Sequence, residues 1–368
     1  MNHQTSILSH RAALLFVVAM MATINVYAQR IQVVDNDGTG IPYASIFTQA
    51  GDIIGTTDLD GVLNDVKGAE VISITHVAYK SKTVKVGQGG RVTLEDADFD
   101  VPEITVTKKP LVYVQTYYRM VYQNDDSEMP IYYYRAGVLN NSYDKKTKKV
   151  SSDENHLSAC NIGIFKSMLN TVLNAHIKQI ANLKTSKIET RMKDNLKAIG
   201  LNFVPDGPGK QRITDKFGTV GSVTDNQGKG ERRYSYDSHQ LRLHKLQVTG
   251  SDKKKAKADK REDRKKNRKD LDYTVYRIDD NGNYEPEDFV MLQRSTSYDD
   301  EKNNGSHVNI MLQVFTVDRA YVTKDELKQI KKENNMKMSY QNLQQLERSH
   351  NIPTLPAEIQ KRINEIVK

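Results

Sequence analysis

The chain has 368 residues, a net charge of +8, 38% hydrophobic residues, one cysteine and no tryptophan. With Cys160 alone, no intrachain disulfide can form, so the fold must rest on ordinary burial. The length suits two domains, and beyond the N-terminus no stretch approaches the about 18 uninterrupted apolar residues a transmembrane helix needs.

The first element predicted is a secretory signal peptide at 1–28. Arg11 supplies a positive charge, Ala12 to Ala22 is an apolar run too short to span a bilayer, and Val26-Tyr27-Ala28 resembles a small-x-small cleavage site before Gln29. No cysteine follows that run, so attachment through a lipidated N-terminal Cys is excluded. The expectation is an exported protein, periplasmic or outer-membrane associated, with no transmembrane span once the signal is removed.

Period-two alternation follows. Arg30 to Val34, Ile41 to Phe47, Ile53 to Thr57, Val71 to Ile74, Thr83 to Val86, Arg91 to Leu94 and Ile104 to Thr107 each read as a short strand. Between them lie two Asp-x-Asp-Gly segments, Asp35 to Gly38 and Asp58 to Gly61. Both read as turns, because Asp can bond the backbone two residues on and Gly accepts positive φ. A calcium loop does not fit: counted from Thr56, the twelfth position is Lys67, where a bidentate Glu is needed.

The succession Pro42-Tyr43-Ala44, Gly55-Thr56-Thr57-Asp58-Leu59-Asp60-Gly61, Ile72-Ser73-Ile74, Val77-Ala78-Tyr79 and Glu103-Ile104-Thr105-Val106-Thr107 resembles the carboxypeptidase-regulatory-like domain of Bacteroidetes-type bacteria. The resemblance covers 29–107 only. It implies a transthyretin-like β-sandwich that serves as an accessory module and carries no catalytic residue. Two known settings of that module are excluded. No histidine has Glu three residues later, as a zinc carboxypeptidase requires. Nor can the residues that remain supply a plug and a 22-stranded barrel of about 9–11 residues per strand.

Lys108-Lys109-Pro110 marks the expected domain boundary. Leu111 to Leu139 is strand-like and rich in tyrosine, which suits packing in a pleated sheet more readily than an exposed stacking platform. From Asn161 to Leu183 the period becomes helical, with Ile162, Phe165, Met168, Leu169, Val172, Leu173, Ile177 and Ile180 on one face; Ile188, Met192, Leu196 and Ile199 continue as a second stripe. Gly200 to Gly209 and Gly218 to Gly230 read as loops. Arg233 to Tyr236, Gln240 to Thr249, Tyr273 to Ile278, Phe289 to Ser297 and His307 to Val317 read as strands. Thr323 with Glu326 is a capping box opening a helix, and Ser339 to His350 and Pro356 to Val367 are two more.

The run 251–270 is a charged insert. It holds eleven Lys or Arg against five acids, a net +6 of the chain's +8. Lacking apolar residues beyond Ala256 and Ala258, it is expected to stay solvated, as a helical or disordered hairpin. An exported chain seldom meets nucleic acid, and no aromatics interleave the charges, so nucleic-acid binding is not expected. An anionic envelope surface reached through Lys253 to Lys269 is the alternative use.

No catalytic, cofactor-binding or metal-ligating residue is assigned, and no cofactor. Cys160 follows His156 by four residues, a spacing a helix would bring to one face, but a nucleophile also needs an orienting third group. Ser-x-x-Lys occurs at Ser142 and Ser251 in polar surroundings. The expected fold is mixed: an N-terminal all-β sandwich, transthyretin- or Ig-like, at 29–107, then an α+β domain at 108–368 with an antiparallel sheet and several helices. The expected function is a non-enzymatic binding or assembly component of the cell envelope, with an outer-membrane or envelope protein complex as partner. The alternative is an envelope hydrolase or peptidase whose site is dispersed through 108–368.

Overall fold

The computed structural model describes residues 30–66, 68–86, 90–105, 107–126, 128–147, 149–180, 200–334 and 338–367. The signal-peptide segment and the second helical stripe at 188–199 lie outside these residues.

The N-terminal strands form two small sheets. One is three-stranded, in the order β4 (Val62–Leu63), β1 (Ile31–Val34) and β7 (Arg91–Thr93). The other is four-stranded, in the order β3 (Ile53–Thr56), β2 (Ser45–Thr48), β5 (Val71–His76) and β6 (Tyr79–Lys85). The Asp-x-Asp-Gly segments are turns: Asp58 Oδ1 accepts the amides of Asp60 and Val62, and Asp35 Oδ1 those of Asp37 and Thr39. The described residues of Ile104 to Thr107 form no strand; Ile104 packs instead on Val112, Val114 and Tyr321.

Everything else is organised by one antiparallel ten-stranded sheet. Its order is β10 (Val150–Cys160), β9 (Ile131–Asp144), β8 (Leu111–Asn124), β17 (Ser306–Val322), β16 (Phe289–Asp300), β15 (Lys265–Arg277), β14 (Glu231–Asp237), β13 (Gly218–Asn226), β12 (Lys210–Asp215) and β11 (Asn202–Pro205). Long strands rich in Tyr, Val and Thr favour this pleated arrangement. The expected meander of Tyr273, Phe289 and His307 is present as β15, β16 and β17. The fold is mostly β, with six α-helices among the described residues: α1 (Gly163–Ile180), α2 (Ser238–Thr249), α3 (Asp252–Glu262), α4 (Lys324–Glu333), α5 (Tyr340–Ser349) and α6 (Ala357–Val367).

Strand periodicity splits the sheet into two cores. On one face Tyr117, Val121, Tyr134, Tyr273, Val275, Met311 and Phe315 join the N-terminal sheets and Leu343, Ile359 and Ile363 from α5 and α6 in a single hydrophobic cluster. The boundary expected at Lys108 to Pro110 is therefore a change of sheet within a continuous core. On the other face Tyr118, Met120, Tyr133, Leu292, Leu312 and Val314 pack with Leu169, Leu173 and Ile177 of α1. Tyr117, Tyr118, Tyr122, Tyr132, Tyr133 and Tyr134 of β8 and β9 are buried in these two cores, where they serve packing.

A row of polar residues crosses the first face. Arg119, Gln313 and Gln293 are directly paired on β8, β17 and β16, and all three are fully buried. Arg119 Nε donates to Gln313 Oε1 at 2.8 Å, and Gln313 Nε2 to Gln293 Oε1 at 2.8 Å. Gln293 Nε2 reaches the Tyr43 carbonyl at 2.5 Å, and its Oε1 accepts the Val77 amide at 2.9 Å. At the other end Arg119 donates to Glu347 of α5 at 2.8 Å and to the Pro353 carbonyl at 2.6 Å. Tyr117 also donates to Glu347, at 2.6 Å. The row thus links the N-terminal module, three central strands and the C-terminal helices.

The expectations for two segments are corrected here. Gln240 to Thr249 is helix α2, because Asp237 accepts the amides of His239 and Gln240 at 2.9 and 3.1 Å and so starts a helix. Most of Gly218 to Gly230 is strand β13, where Gly221 lies so close to β14 that a Cβ there would stand 2.4 Å from the Ser235 carbonyl. The charged insert 251–270 takes the helical alternative expected of it, as the largely exposed helix α3, and continues into the first residues of β15.

Candidate ligand cavity beneath helix α1

Helix α1 carries apolar residues four apart, and Leu169, Leu173 and Ile177 are buried against the sheet. Polar contacts fix its seat. Tyr133 donates to Asn170 Oδ1 at 2.6 Å. Arg135, almost completely buried, donates to the Asn170 carbonyl at 3.3 Å and to Asn174 Oδ1 at 3.2 Å. Its charge is met by Glu154 of β10, which also accepts from Tyr118, and Arg135 Nε donates to the Tyr118 hydroxyl at 3.0 Å. Burial pulls the Arg135 guanidinium down, but Tyr118 and Glu154 more than offset this and hold it above its ordinary range.

Between α1 and the sheet lies a cavity of about 470 Å³, within the range of small-molecule sites. Its floor is Met120, Tyr122, Ile131, Ile310 and Leu312, and its roof is Phe165, Met168, Leu169, Val172 and Leu173. One end is polar, with Lys265, Arg268, Arg294 and Thr296. Lys265 and Arg268 both line it, although three residues apart on one strand, because β15 is bulged between Lys266 and Lys269, where Asn267 takes φ +54°. Bulges commonly re-aim side chains beside sites.

The three cations differ. Arg294 is paired with Asp272, and although burial pulls its guanidinium down, that carboxylate raises it overall. Arg268 forms a two-pronged pair with Asp270 at 2.8 to 3.1 Å. Lys265 has no ion pair among the described residues; its Nζ lies 4.0 Å from the centre of the Tyr298 ring. Burial first, and the charge of Arg268 second, push the Lys265 ammonium below its ordinary range. Burial pushes the Tyr122 hydroxyl at the floor up to about 12. The acids at this end, Asp126 and Asp300, already accept backbone amides of Glu128, Met129 and Lys302. The arrangement can hold an apolar chain, with one half-buried ammonium at its polar end.

The roof is open to solvent along one edge. Ile164, Met168 and Val172, again four apart, are 83%, 52% and 56% exposed and stand about 100° round the helix from the buried stripe, so the apolar surface of α1 is wider than the face it buries.

The residues singled out in the sequence lie elsewhere. His156 and Cys160 are on strand β10, where four residues span about 13 Å; His156 stands beside Glu154, and the Cys160 thiol, raised by burial, faces Asn161. Ser142 is buried on β9, and Ser251 precedes α3. Among the described residues no three His, Cys, Asp or Glu stand together as a metal site, and no helix is long and apolar enough to cross a membrane. The cavity itself was not foreseen. Its one sequence signal was the helical stripe of α1, in which Met168 and Val172 are half exposed beside the buried Leu169 and Leu173.

No family model and no curated protein matches the chain. Among solved structures, the N-terminal dehydratase from the difficidin assembly line has 10% identity over 62% of this chain and 83% of that one, with a TM-score of 0.11. So shallow a likeness carries no argument about fold or activity.

Proposed function

We infer that this is an exported cell-envelope protein that binds an amphipathic, lipid-like molecule beneath α1 and performs no chemistry on it. Its N-terminal part is read as a carboxypeptidase-regulatory-like accessory module, and its partners as components of an envelope complex. The observation that carries the binding reading is the apolar cavity of about 470 Å³ roofed by a helix whose apolar surface extends beyond the face it buries. Burial of a hydrocarbon chain there contributes about 0.8 kcal/mol per CH₂, the usual driving force for such sites. Envelope residence gives access to molecules of this class.

The absence of tryptophan from the sequence makes a clean test available. Met168→Trp places a single indole at the cavity roof, at a position exposed enough to accept it. Titration with a long-chain fatty acid or a lysophospholipid, below its micelle concentration, should give a saturable blue shift. Adding Leu312→Phe, which fills the floor, should weaken binding at least about tenfold through loss of two or more buried methylenes. Saturation unaffected by Leu312→Phe, or no saturable shift, would overturn the reading.

A further inference from the structure

Helix α3 is built almost wholly of charged residues, yet its charges are sorted. Lys255, Ala258 and Glu262 are the half-buried positions, and they face the rest of the fold. At 100° per residue, Lys253, Lys254, Lys257, Lys260 and Arg261 fall within an arc of about 120° on the solvent side. Asp252 and Asp259 fall together on the opposite flank, and Glu262 is bound to His239 at 2.9 Å. A helix that served only solubility would gain from interleaved signs at i,i+4. Here the five cations stand side by side, and none has an ion pair among the described residues. Elsewhere in the same basic run the charges are used internally: Lys266 pairs with Glu301, and Arg268 with Asp270.

The stripe also has a defined place. The chain passes from α3 through Asp263 and Arg264 straight to Lys265 at the polar end of the cavity. The turn is anchored there, because the Glu301 amide donates to the Arg264 carbonyl at 3.0 Å, and Asn303 two residues on lines the cavity. Three of the five stripe cations, Lys254, Lys257 and Arg261, further border a groove of about 350 Å³ between α2 and α3, with Leu243 and Leu246 also lining it.

We propose that the cationic stripe of α3 seats the protein on a bilayer rich in anionic, phosphate-bearing lipid, with the polar end of the cavity turned toward the head groups. Docking stands on the segregated, unpaired charges alone. The orientation of the cavity rests on the ligand-binding reading above.

The test is flotation of the full chain with vesicles of phosphatidylcholine, or of equal parts phosphatidylcholine and phosphatidylglycerol. Binding is expected only to the anionic vesicles, and should fade as salt shortens the screening length from about 10 Å toward 3 Å. Each basic residue near such a surface is worth about fivefold in partitioning. The variant Lys253→Gln, Lys254→Gln, Lys257→Gln, Lys260→Gln, Arg261→Gln should therefore lose at least about a hundredfold. Gln keeps helix propensity close to that of Lys, so α3 should persist, which far-UV circular dichroism checks. A control with the same change in net charge replaces the exposed Lys85, Lys324, Lys328, Lys332 and Lys361 by Gln; it should retain most binding. Equal loss in both variants, equal binding to neutral vesicles, or tighter binding to duplex DNA than to anionic vesicles would overturn the proposal. Failure of Met168→Trp to report a ligand, with flotation intact, would remove the ligand reading and leave the docking.

Discussion

Replacing Arg119 by Ala should be among the most damaging single changes outside the hydrophobic cores. The side chain is fully buried and makes three hydrogen bonds, to Gln313, Glu347 and the Pro353 carbonyl. Its loss leaves the Glu347 carboxylate, whose side chain is 16% exposed, without its counter-charge. Removing one partner of such a pair costs about 3–5 kcal/mol. The orphaned Gln313 oxygen and Pro353 carbonyl add up to about 1–3 kcal/mol each where water cannot reach them. These terms overlap, so we expect about 4 kcal/mol in all, read from urea unfolding. The damage should be directional. Amide exchange should rise in α5, around Pro353 and at Val77, the two ends of the polar row, before it rises under α1. The double change Arg119→Met with Glu347→Leu should recover most of the loss, since apolar replacement of a whole buried pair is often neutral. A loss below about 1 kcal/mol for Arg119→Ala, or no recovery in the double variant, would refute the assignment of this row as the link between the module and the helices.

Three further outcomes follow from the same geometry. His76 is fully buried at the junction of module and sheet, against Tyr79 and Tyr273; burial first, and Arg233 second, lower it to about 3. Because its folded value lies below the unfolded value of about 6.5, stability should be complete above that pH and fall by about 2 kcal/mol between pH 7 and pH 5. His76→Phe should flatten that slope in denaturant titrations, and an unchanged slope would rule the residue out as its source. Tyr133→Phe removes the 2.6 Å bond to Asn170 and should cost about 1 kcal/mol. Its mark should be faster exchange confined to 163–180, and uniform acceleration across the chain would count against it. Since the module and the central sheet share one core, a tryptophan placed in the module and far-UV circular dichroism of the sheet should report coincident unfolding midpoints; separated midpoints would show two independent domains.

The elements that the sequence revealed were those with a local cause. Thr323 and Glu326 form the expected reciprocal cap, at 3.2 and 2.7 Å, and open α4. The stripe of Phe165, Leu169, Leu173 and Ile177 is helix α1, and alternation located β8, β9, β15, β16 and β17. Where local signals competed, the reading failed. Leu241 and Leu243 alternate like a strand, but the Asp237 cap sets a helix. Gly221 reads as loop in isolation, and only its close approach to β14 explains it. The cavity was hidden for a different reason. Its lining comes from β8, β9, α1, β15, β16 and β17, and Met120, Leu312 or Leu173 taken singly looks like ordinary core. What sets Lys265 apart is a bulge at Asn267 and the lack of a counter-charge, and neither is written in residue order.

Because one sheet is the floor of both cores, neighbouring residues on a strand answer to different halves of the molecule. Tyr117 and Arg119 belong to the module side, while Tyr118 and Met120 belong to the cavity side. A single residue inserted or deleted in β8 just before Tyr117 would turn all four over together. Arg119 would then point at α1, and Tyr118 at the buried row. Length variation in this chain should therefore be confined to the turns, such as those near Asp126 and Lys146. An insertion scan that found β8 tolerant at its centre would mean that the two faces are interchangeable, which their chemistry denies.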